Sequence, residues 1–199
     1  MKKFFQLAFG LILASIALLL MGFAPVLKNE AVMKEHILSL SDSLYPAPPS
    51  TDKLLFYVQR TPNTNTIVYE LNTDKDGIPH THEPVHVYWI RYQEGGKKTE
   101  LTYIQRKFAY GINHKLTDAE KHSYKLNFVS YGKKDIHLER SLKDKRYHAY
   151  LQVGSKNIEV SRIYIRIEGG SFWFPNVPYV EISGRDVATG HFVKERIKP

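Results

Sequence analysis

The 199 residues include no cysteine. This absence excludes disulfides, thiolate metal sites, a cysteine nucleophile and a lipid-modified N-terminal cysteine. Catalytic signatures are absent as well: there is no P-loop, no Gly-x-Ser-x-Gly elbow, no His-Glu-x-x-His pair and no dinucleotide fingerprint. The fold must therefore be held by its core alone, and the sequence favours a non-enzymatic protein.

The composition is that of a folded, basic domain. Hydrophobic residues make up 43% of the chain and aromatic residues 13%, which is enough for a sizeable core and argues against disorder. The chain has 28 Lys and Arg against 20 Asp and Glu, a formal net charge of +8. Such a basic charge would suit a nucleic acid partner. The export segment described next argues against nucleic acid as that partner.

Residues 1–26 predict export. Lys2 and Lys3 precede an apolar run from Phe4 to Val26, in which Gln6 is the only strongly polar residue. The run fits a cleavable signal peptide, but Pro25 disfavours cleavage after Ala24, and the run is also long enough to serve as a membrane anchor. Both alternatives put the rest of the chain outside the cytoplasm, in the periplasm or elsewhere in the cell envelope.

Residues 27–52 are interpreted as a tether. Apolar residues at helical spacing predict a short amphipathic helix over residues 29–44. The sequence Pro46-Ala47-Pro48-Pro49 then ends any helix and stiffens the chain as an extended spacer. A single β domain is expected to occupy residues 53–199.

The domain shows the two-residue period of β-strands. About ten runs rich in β-branched and aromatic residues alternate with turn signals, which predicts an all-β fold: an antiparallel barrel or sandwich of sequential hairpins behind the N-terminal apolar helix. One helical turn is expected at residues 115–122. The predicted strands are residues 54–60, 66–71, 85–92, 100–106, 124–131, 135–140, 147–153, 158–167, 179–183 and 191–197.

One pattern occurs twice. Residues 55–60 and 101–106 share the sequence Leu-x-Tyr-[Val/Ile]-Gln-Arg. If both copies are strands, tyrosine and glutamine lie on one face, and the branched aliphatic residue and the arginine on the other. Nothing else repeats with them, so the pattern does not indicate a solenoid.

Arginines in or beside predicted strands give the first candidate site, a cleft for an anionic or glycan-like ligand. An arginine on an apolar face needs a carboxylate, an anionic ligand or access to water. The alternative is that these arginines form ordinary cross-strand pairs with glutamates. The candidate ligand-binding residues are Arg60, Arg91, Arg106, Tyr57, Tyr103, Gln59, Gln105 and Trp89.

Histidines give the second candidate. His80, His82 and His86 lie within seven residues, and histidine-rich tracts can bind divalent metal. Such a site would support the alternative function, a metal-assisted envelope hydrolase. Against it, Pro79 and Pro84 place these histidines in a loop, where exposed histidines are common, and no distant ligand completes the set.

Three stretches carry a family resemblance. Phe56 to Arg60 with Asn63, Pro84 to Ile90, and Tyr103 to Gly111 resemble the hallmark segments of an uncharacterised family, a domain of unknown function in exported proteins of Gram-negative bacteria. The likeness covers roughly Leu54 to the C-terminus. It implies export and a single β domain, and it implies no activity, cofactor or site residues.

Overall fold

The computed structural model describes residues 45–171 and 174–199. The predicted signal peptide or anchor (residues 1–26) and the predicted tether helix (residues 29–44) lie outside these described residues. Within residues 45–171 and 174–199, no helix is long and apolar enough to cross a membrane. The limits assigned to the tether and to the β domain stay predictions.

Eleven strands, one short α-helix and a single 3₁₀ turn at Tyr92–Glu94 make up the regular structure of the described residues, which confirms the all-β class. Apolar residues at alternating positions put one face of most strands into a shared core. The strands are β1 Leu54–Arg60, β2 Asn63–Leu71, β3 Val85–Arg91, β4 Lys97–Glu100, β5 Ile112–Asp118, β6 Ser123–Phe128, β7 Tyr131–Arg140, β8 Tyr147–Val153, β9 Lys156–Arg166, β10 Tyr179–Asp186 and β11 Phe192–Ile197, and helix α1 is Tyr103–Phe108.

The strands form one curled sheet in the order β4-β3-β2-β1-β9-β8-β7-β6-β5, with β10 joining β9 and β11 joining β10. Except for β4 and β5, which lie at opposite ends of this order, strands that are consecutive in sequence pair antiparallel, as the hairpin pattern predicts. The prediction of a purely antiparallel sheet is wrong, because β1 pairs parallel with β9 through Tyr57 opposite Arg162 and Arg60 opposite Ile165. The sheet is mixed and curls into a half-barrel.

Strand β9 is where the sheet divides. One edge of β9 pairs with β10 along most of its length, whereas the other edge pairs with β8 at residues 156–159 and with β1 at residues 162–165. Two branches, β1 to β4 and β5 to β8, therefore leave the same edge of β9. Buried residues of both branches belong to one core, so the branches face each other across it.

Two local predictions are wrong. Residues 100–106 were expected to form a strand, but β4 ends at Glu100 and helix α1 follows, because Thr102 and Gln105 form a reciprocal capping box at its start. Residues 115–122 were expected to be helical, but β5 continues to Asp118, where the carboxylate accepts a hydrogen bond from the Lys121 backbone and closes a turn into β6.

Candidate functional site

The half-barrel contains an apolar cavity of about 120 Å³ that is partly open to solvent. Side chains of both branches line it, since the inward-facing positions of facing strands point toward each other. The lining residues are Val58, Tyr69, Ala109, Tyr110, Phe128, Ser130, Tyr131, Lys134, Ile136, Leu151, Ile163, Ile165, Val180, Ile182, Ile197 and Pro199. The cavity is therefore apolar over most of its surface, with a few polar side chains beside it.

Arg60 lies next to this cavity. It follows Val58, a lining residue, by one strand repeat, and its parallel partner on β9 is Ile165, another lining residue. The Nε atom of Arg60 is buried and has no hydrogen-bond partner. Within the described part of the chain, the Arg60 guanidinium forms no salt bridge, so its charge is left without a carboxylate.

Tyr110 connects Arg60 to the cavity wall. The Tyr69 hydroxyl donates a hydrogen bond of 2.9 Å to the Tyr110 carbonyl oxygen and fixes this part of the chain. The guanidinium carbon of Arg60 lies 5.7 Å from the centre of the Tyr110 ring, in a cation–π contact. Burial raises the pKa of the Tyr110 hydroxyl, and the charge of Arg60 partly opposes this shift.

Trp89 is the other predicted site residue beside Tyr110. Its indole ring is buried in the core and meets the Tyr110 ring edge-on at 5.2 Å between centroids. The Nε1 donor of Trp89 is also buried without a partner. Two unpaired buried N–H donors, from Arg60 and Trp89, thus flank one tyrosine, and a buried donor without an acceptor is unfavourable.

Lys134 supplies a second positive charge. It lines the cavity from β7, half-buried, and no carboxylate in the described residues pairs with its ammonium group. The neighbouring Asp135 is engaged elsewhere, with Lys125 at 3.0 Å and with the Asn127 amide at 2.7 Å. These contacts lower the pKa of Asp135, which keeps it ionised as the ion-pair partner of Lys125.

Gln59 is buried in a hydrogen-bond network and is not open to a ligand. It is fully buried on the opposite face of β1, where its amide nitrogen donates to the carbonyl oxygens of Tyr45 and Pro46 and to the Thr66 hydroxyl at 3.0–3.2 Å. Its carbonyl oxygen accepts from Arg162 Nε at 2.7 Å. The network holds residues 45–49, named here the strap, against the outer face of the sheet.

The other predicted binding residues lie apart from the cavity. Arg91 pairs with Glu94 at 2.8 Å, Arg106 pairs with Glu83 at 3.0 Å and Glu100 at 3.3 Å, and Gln105 caps helix α1. Tyr57 is half-buried, and Tyr103 is 71% exposed on helix α1. Their part in ligand binding stays a prediction, and the structure does not bring the two copies of the repeated pattern together.

The three histidines do not form a metal centre in the described residues. His86 Nε2 lies 2.9 Å from a Glu100 carboxylate oxygen, and His82 lines a separate open pocket with Arg106 and His114. His80 lines neither this pocket nor the apolar cavity. Among residues 45–171 and 174–199, no group of three or more His, Asp or Glu side chains is arranged to hold a metal ion.

Two residues of the cavity site, Tyr110 and Lys134, were missed by sequence reasoning. Tyr110 follows helix α1, where a strand was expected, and Lys134 falls in the gap between the predicted strands 124–131 and 135–140. A lysine beside a turn is ordinarily solvated, so no local signal marks Lys134 as a cavity residue. Only the closure of the two branches brings Lys134 and Arg60 to one cavity.

A family model of a domain of unknown function, DUF4833, matches residues 56–196. No curated protein and no solved structure matches the chain. The match confirms the resemblance to an uncharacterised family that the hallmark segments indicated. Because it covers more than half of the 199 residues, the chain belongs to the DUF4833 family.

Proposed function

We propose that the β domain is a non-enzymatic binding module for a small anionic ligand that carries an apolar group. The observation that carries this proposal is the apolar cavity flanked by Arg60 and Lys134, two cations without an ion-pair partner in the described residues. A partly buried, unpaired cation raises the free energy of the empty protein, and a carboxylate or phosphate beside it removes that cost.

The size and lining of the cavity limit the ligand. An apolar cavity of about 150 Å³ in another protein accommodates benzene, and the cavity here is about 120 Å³. It therefore fits the apolar end of a ligand, such as a phenyl ring or a short alkyl chain, while the acidic group stays near Arg60. A glycan is a poorer fit, since its hydroxyl groups would face aliphatic side chains such as Ile163, Val180 and Ile182.

We also propose that the chain is exported, with the β domain in the periplasm or at the cell envelope. The support is the N-terminal sequence, in which two lysines precede a long apolar run. Release by cleavage and retention as an anchor remain the two alternatives for this segment.

Binding of 4-phenylbutyrate and hexanoate to the full chain, measured by isothermal titration calorimetry, tests the proposal. Each acid is compared with its amide, which has the same shape and no charge. We expect the acids to bind at least about tenfold more tightly than the amides, because a hydrogen bond to a charged group contributes about 1.5–3 kcal/mol. Equal binding of acid and amide, or no binding of either, would contradict the proposal.

A variant that fills the cavity separates binding inside it from binding on the surface. Val180 lines the cavity, and Val180→Phe adds a ring where the ligand's apolar group would lie. We expect this variant to lose the acid's binding while its thermal unfolding midpoint stays the same or rises. Retained affinity in a folded Val180→Phe protein would place the ligand elsewhere.

A further inference from the structure

Helix α1 exposes its apolar side chains. It buries no residue, and the side chains of Tyr103 and Ile104 are 71% and 54% exposed. The helix is held by its capping box and by the Arg106 ion pairs with Glu83 and Glu100 rather than by packing. An aromatic and a branched aliphatic side chain directed to solvent on one short helix form an apolar patch that the fold itself does not require.

Two segments beside this patch carry basic residues and no acidic ones, although Glu83 and Glu100 pair with Arg106 at the edge of the helix. Residues 101–117 contain Arg106, Lys107 and Lys115 and no acidic residue, and residues 129–134 contain Lys133 and Lys134 and no acidic residue. Hydrogen bonds join the two segments, because the Ser130 hydroxyl donates to the Ala109 carbonyl oxygen at 2.6 Å and the Val129 amide donates to the Gly111 carbonyl oxygen at 3.0 Å. The two segments therefore form one continuous surface.

Lysines and aromatic rings alternate on this surface. The Lys107 ammonium lies 5.5 Å from the centre of the Tyr103 ring, and the Lys133 ammonium lies 5.9 Å from the centre of the Tyr131 ring. We define the rim surface as Tyr103, Ile104, Lys107, Tyr131 and Lys133. It borders the apolar cavity, since Ala109, Tyr110, Ser130 and Tyr131 line that cavity.

We propose that the rim surface docks on an anionic lipid bilayer. Amphipathic aromatic side chains favour the boundary between headgroups and acyl chains, and lysines are attracted to anionic headgroups. Docking places Ile104 and Tyr103 at that boundary and turns the border of the cavity toward the membrane. The proposal does not depend on what the cavity binds, because it is carried by the exposed side chains and charges of the rim surface.

The absence of cysteine makes a site-specific test direct. Ile104→Cys in the full chain is labelled with an environment-sensitive nitrobenzoxadiazole fluorophore. The labelled protein is reconstituted into phosphatidylcholine vesicles with or without about 30% phosphatidylglycerol, which gives the vesicles a strongly negative surface. Quenchers attached to lipids report whether the label enters the bilayer. We expect strong quenching in the anionic vesicles and weak quenching in the neutral ones.

Leu142→Cys is the matched control. Leu142 is 88% exposed in the turn after β7, and the ten residues of β7 put it roughly 30 Å from Tyr131. A chain that is merely tethered by its N-terminal segment leaves both labels in water. Quenching at Ile104 that is no stronger than at Leu142 would overturn the proposal, whatever the N-terminal segment does.

The charge requirement is tested in the labelled Ile104→Cys protein. Replacing Lys107 and Lys133 by Gln is expected to weaken anionic-vesicle docking about fivefold for each lysine, whereas Lys143→Gln, in the same turn as Leu142, is expected to change nothing. Equal effects of Lys143→Gln and Lys107→Gln would show nonspecific attraction and contradict docking through the rim surface. Calorimetry with soluble acids is done without vesicles, so its failure and the failure of docking are distinguishable.

Discussion

The two copies of Leu-x-Tyr-[Val/Ile]-Gln-Arg differ in secondary structure and in burial. The first, residues 55–60, is the central strand β1, and the second, residues 101–106, leads into the exposed helix α1. Val58 is 2% exposed and its counterpart Ile104 is 54% exposed. Arg60 lies beside a cavity and has no salt bridge to any residue that the structure describes, whereas Arg106 is held between two carboxylates. The same residue types therefore contribute to the core and to the candidate site in one copy, and to the exposed surface in the other.

The variable second position of the pattern accounts for the difference. In the second copy the variable position is Thr102, whose hydroxyl accepts a hydrogen bond from the Gln105 amide while the Gln105 side chain accepts from the Thr102 amide. This exchange starts a helix. In the first copy the variable position is Phe56, which stacks on Tyr69 at 4.5 Å between centroids and needs the strand conformation to reach the core. The residue at this position, Thr102 or Phe56, thus favours a helix in one copy and a strand in the other.

The largest expected difference in the free energy of unfolding is between substitutions at these two variable positions. Phe56→Ala empties a fully buried site and is expected to lower the free energy of unfolding by about 3–5 kcal/mol, whereas Thr102→Ala removes an exposed helix cap and is expected to cost about 1 kcal/mol. Urea unfolding of both variants measures the difference. Equal losses would mean that helix α1 contributes to the core.

The glutamines of the two copies provide the next comparison. Gln59→Ala removes the acceptor of Arg162 Nε and the donor to the strap, and we expect a loss of about 1–3 kcal/mol in the free energy of unfolding. Gln105→Ala removes one exposed capping bond, and we expect a loss below about 1 kcal/mol. Urea unfolding again measures both. A Gln59→Ala protein as stable as Gln105→Ala would show that the strap network is dispensable.

Alkaline pH is expected to lower the free energy of unfolding by a smaller amount, through two buried tyrosines that pack against β1. Burial and the adjacent Tyr164 raise the pKa of Tyr45 to about 12, and burial raises the pKa of Tyr69 well above its ordinary value. Both folded-state pKa values exceed the value of about 10 expected in the unfolded chain. The stability from these protonated hydroxyls is complete below pH ~10 and is lost as the pH rises toward the folded-state values.

A pH series of urea midpoints from about pH 9 to about pH 12, that is from about one pH unit below to about two above the ordinary tyrosine pKa, measures this loss. Tyr45→Phe, at a side chain 6% exposed in the strap, is expected to flatten the decline, and Tyr103→Phe, at a side chain 71% exposed, is the matched control. A decline that is steeper in Tyr45→Phe than in the unmodified protein would contradict the stabilising role of the protonated Tyr45 hydroxyl.

Much of the fold follows from the local pattern. Alternating apolar residues predicted the β class and most hairpins, since each hairpin joins strands that are neighbours in sequence. The capping box of Thr102 and Gln105 was also present in the sequence but was outweighed by the β-forming residues around it. Strand β5 has exposed residues at most positions, so no periodicity indicated it.

The parallel pairing of β1 with β9 is the part that the local pattern could not predict. Tyr57 and Arg162 meet across more than a hundred residues, and no turn or spacing marks that contact. The cavity exists only because this pairing lets the two branches of the sheet face each other. Arg60 was identified from the sequence because an arginine among apolar neighbours needs a partner, and its position beside the cavity came from the fold.

The most direct test of the binding proposal compares the two arginines of the repeated pattern. Calorimetry with 4-phenylbutyrate is repeated on Arg60→Gln and Arg106→Gln in the full chain. We expect Arg60→Gln to weaken binding at least about tenfold and to lower the free energy of unfolding by no more than about 1 kcal/mol, because it gives up the cation–π contact with Tyr110 but no salt bridge in the described residues. We expect Arg106→Gln to leave affinity unchanged. Unchanged affinity in Arg60→Gln, or equal losses in both variants, would contradict the assignment of the cavity as an anion-binding site.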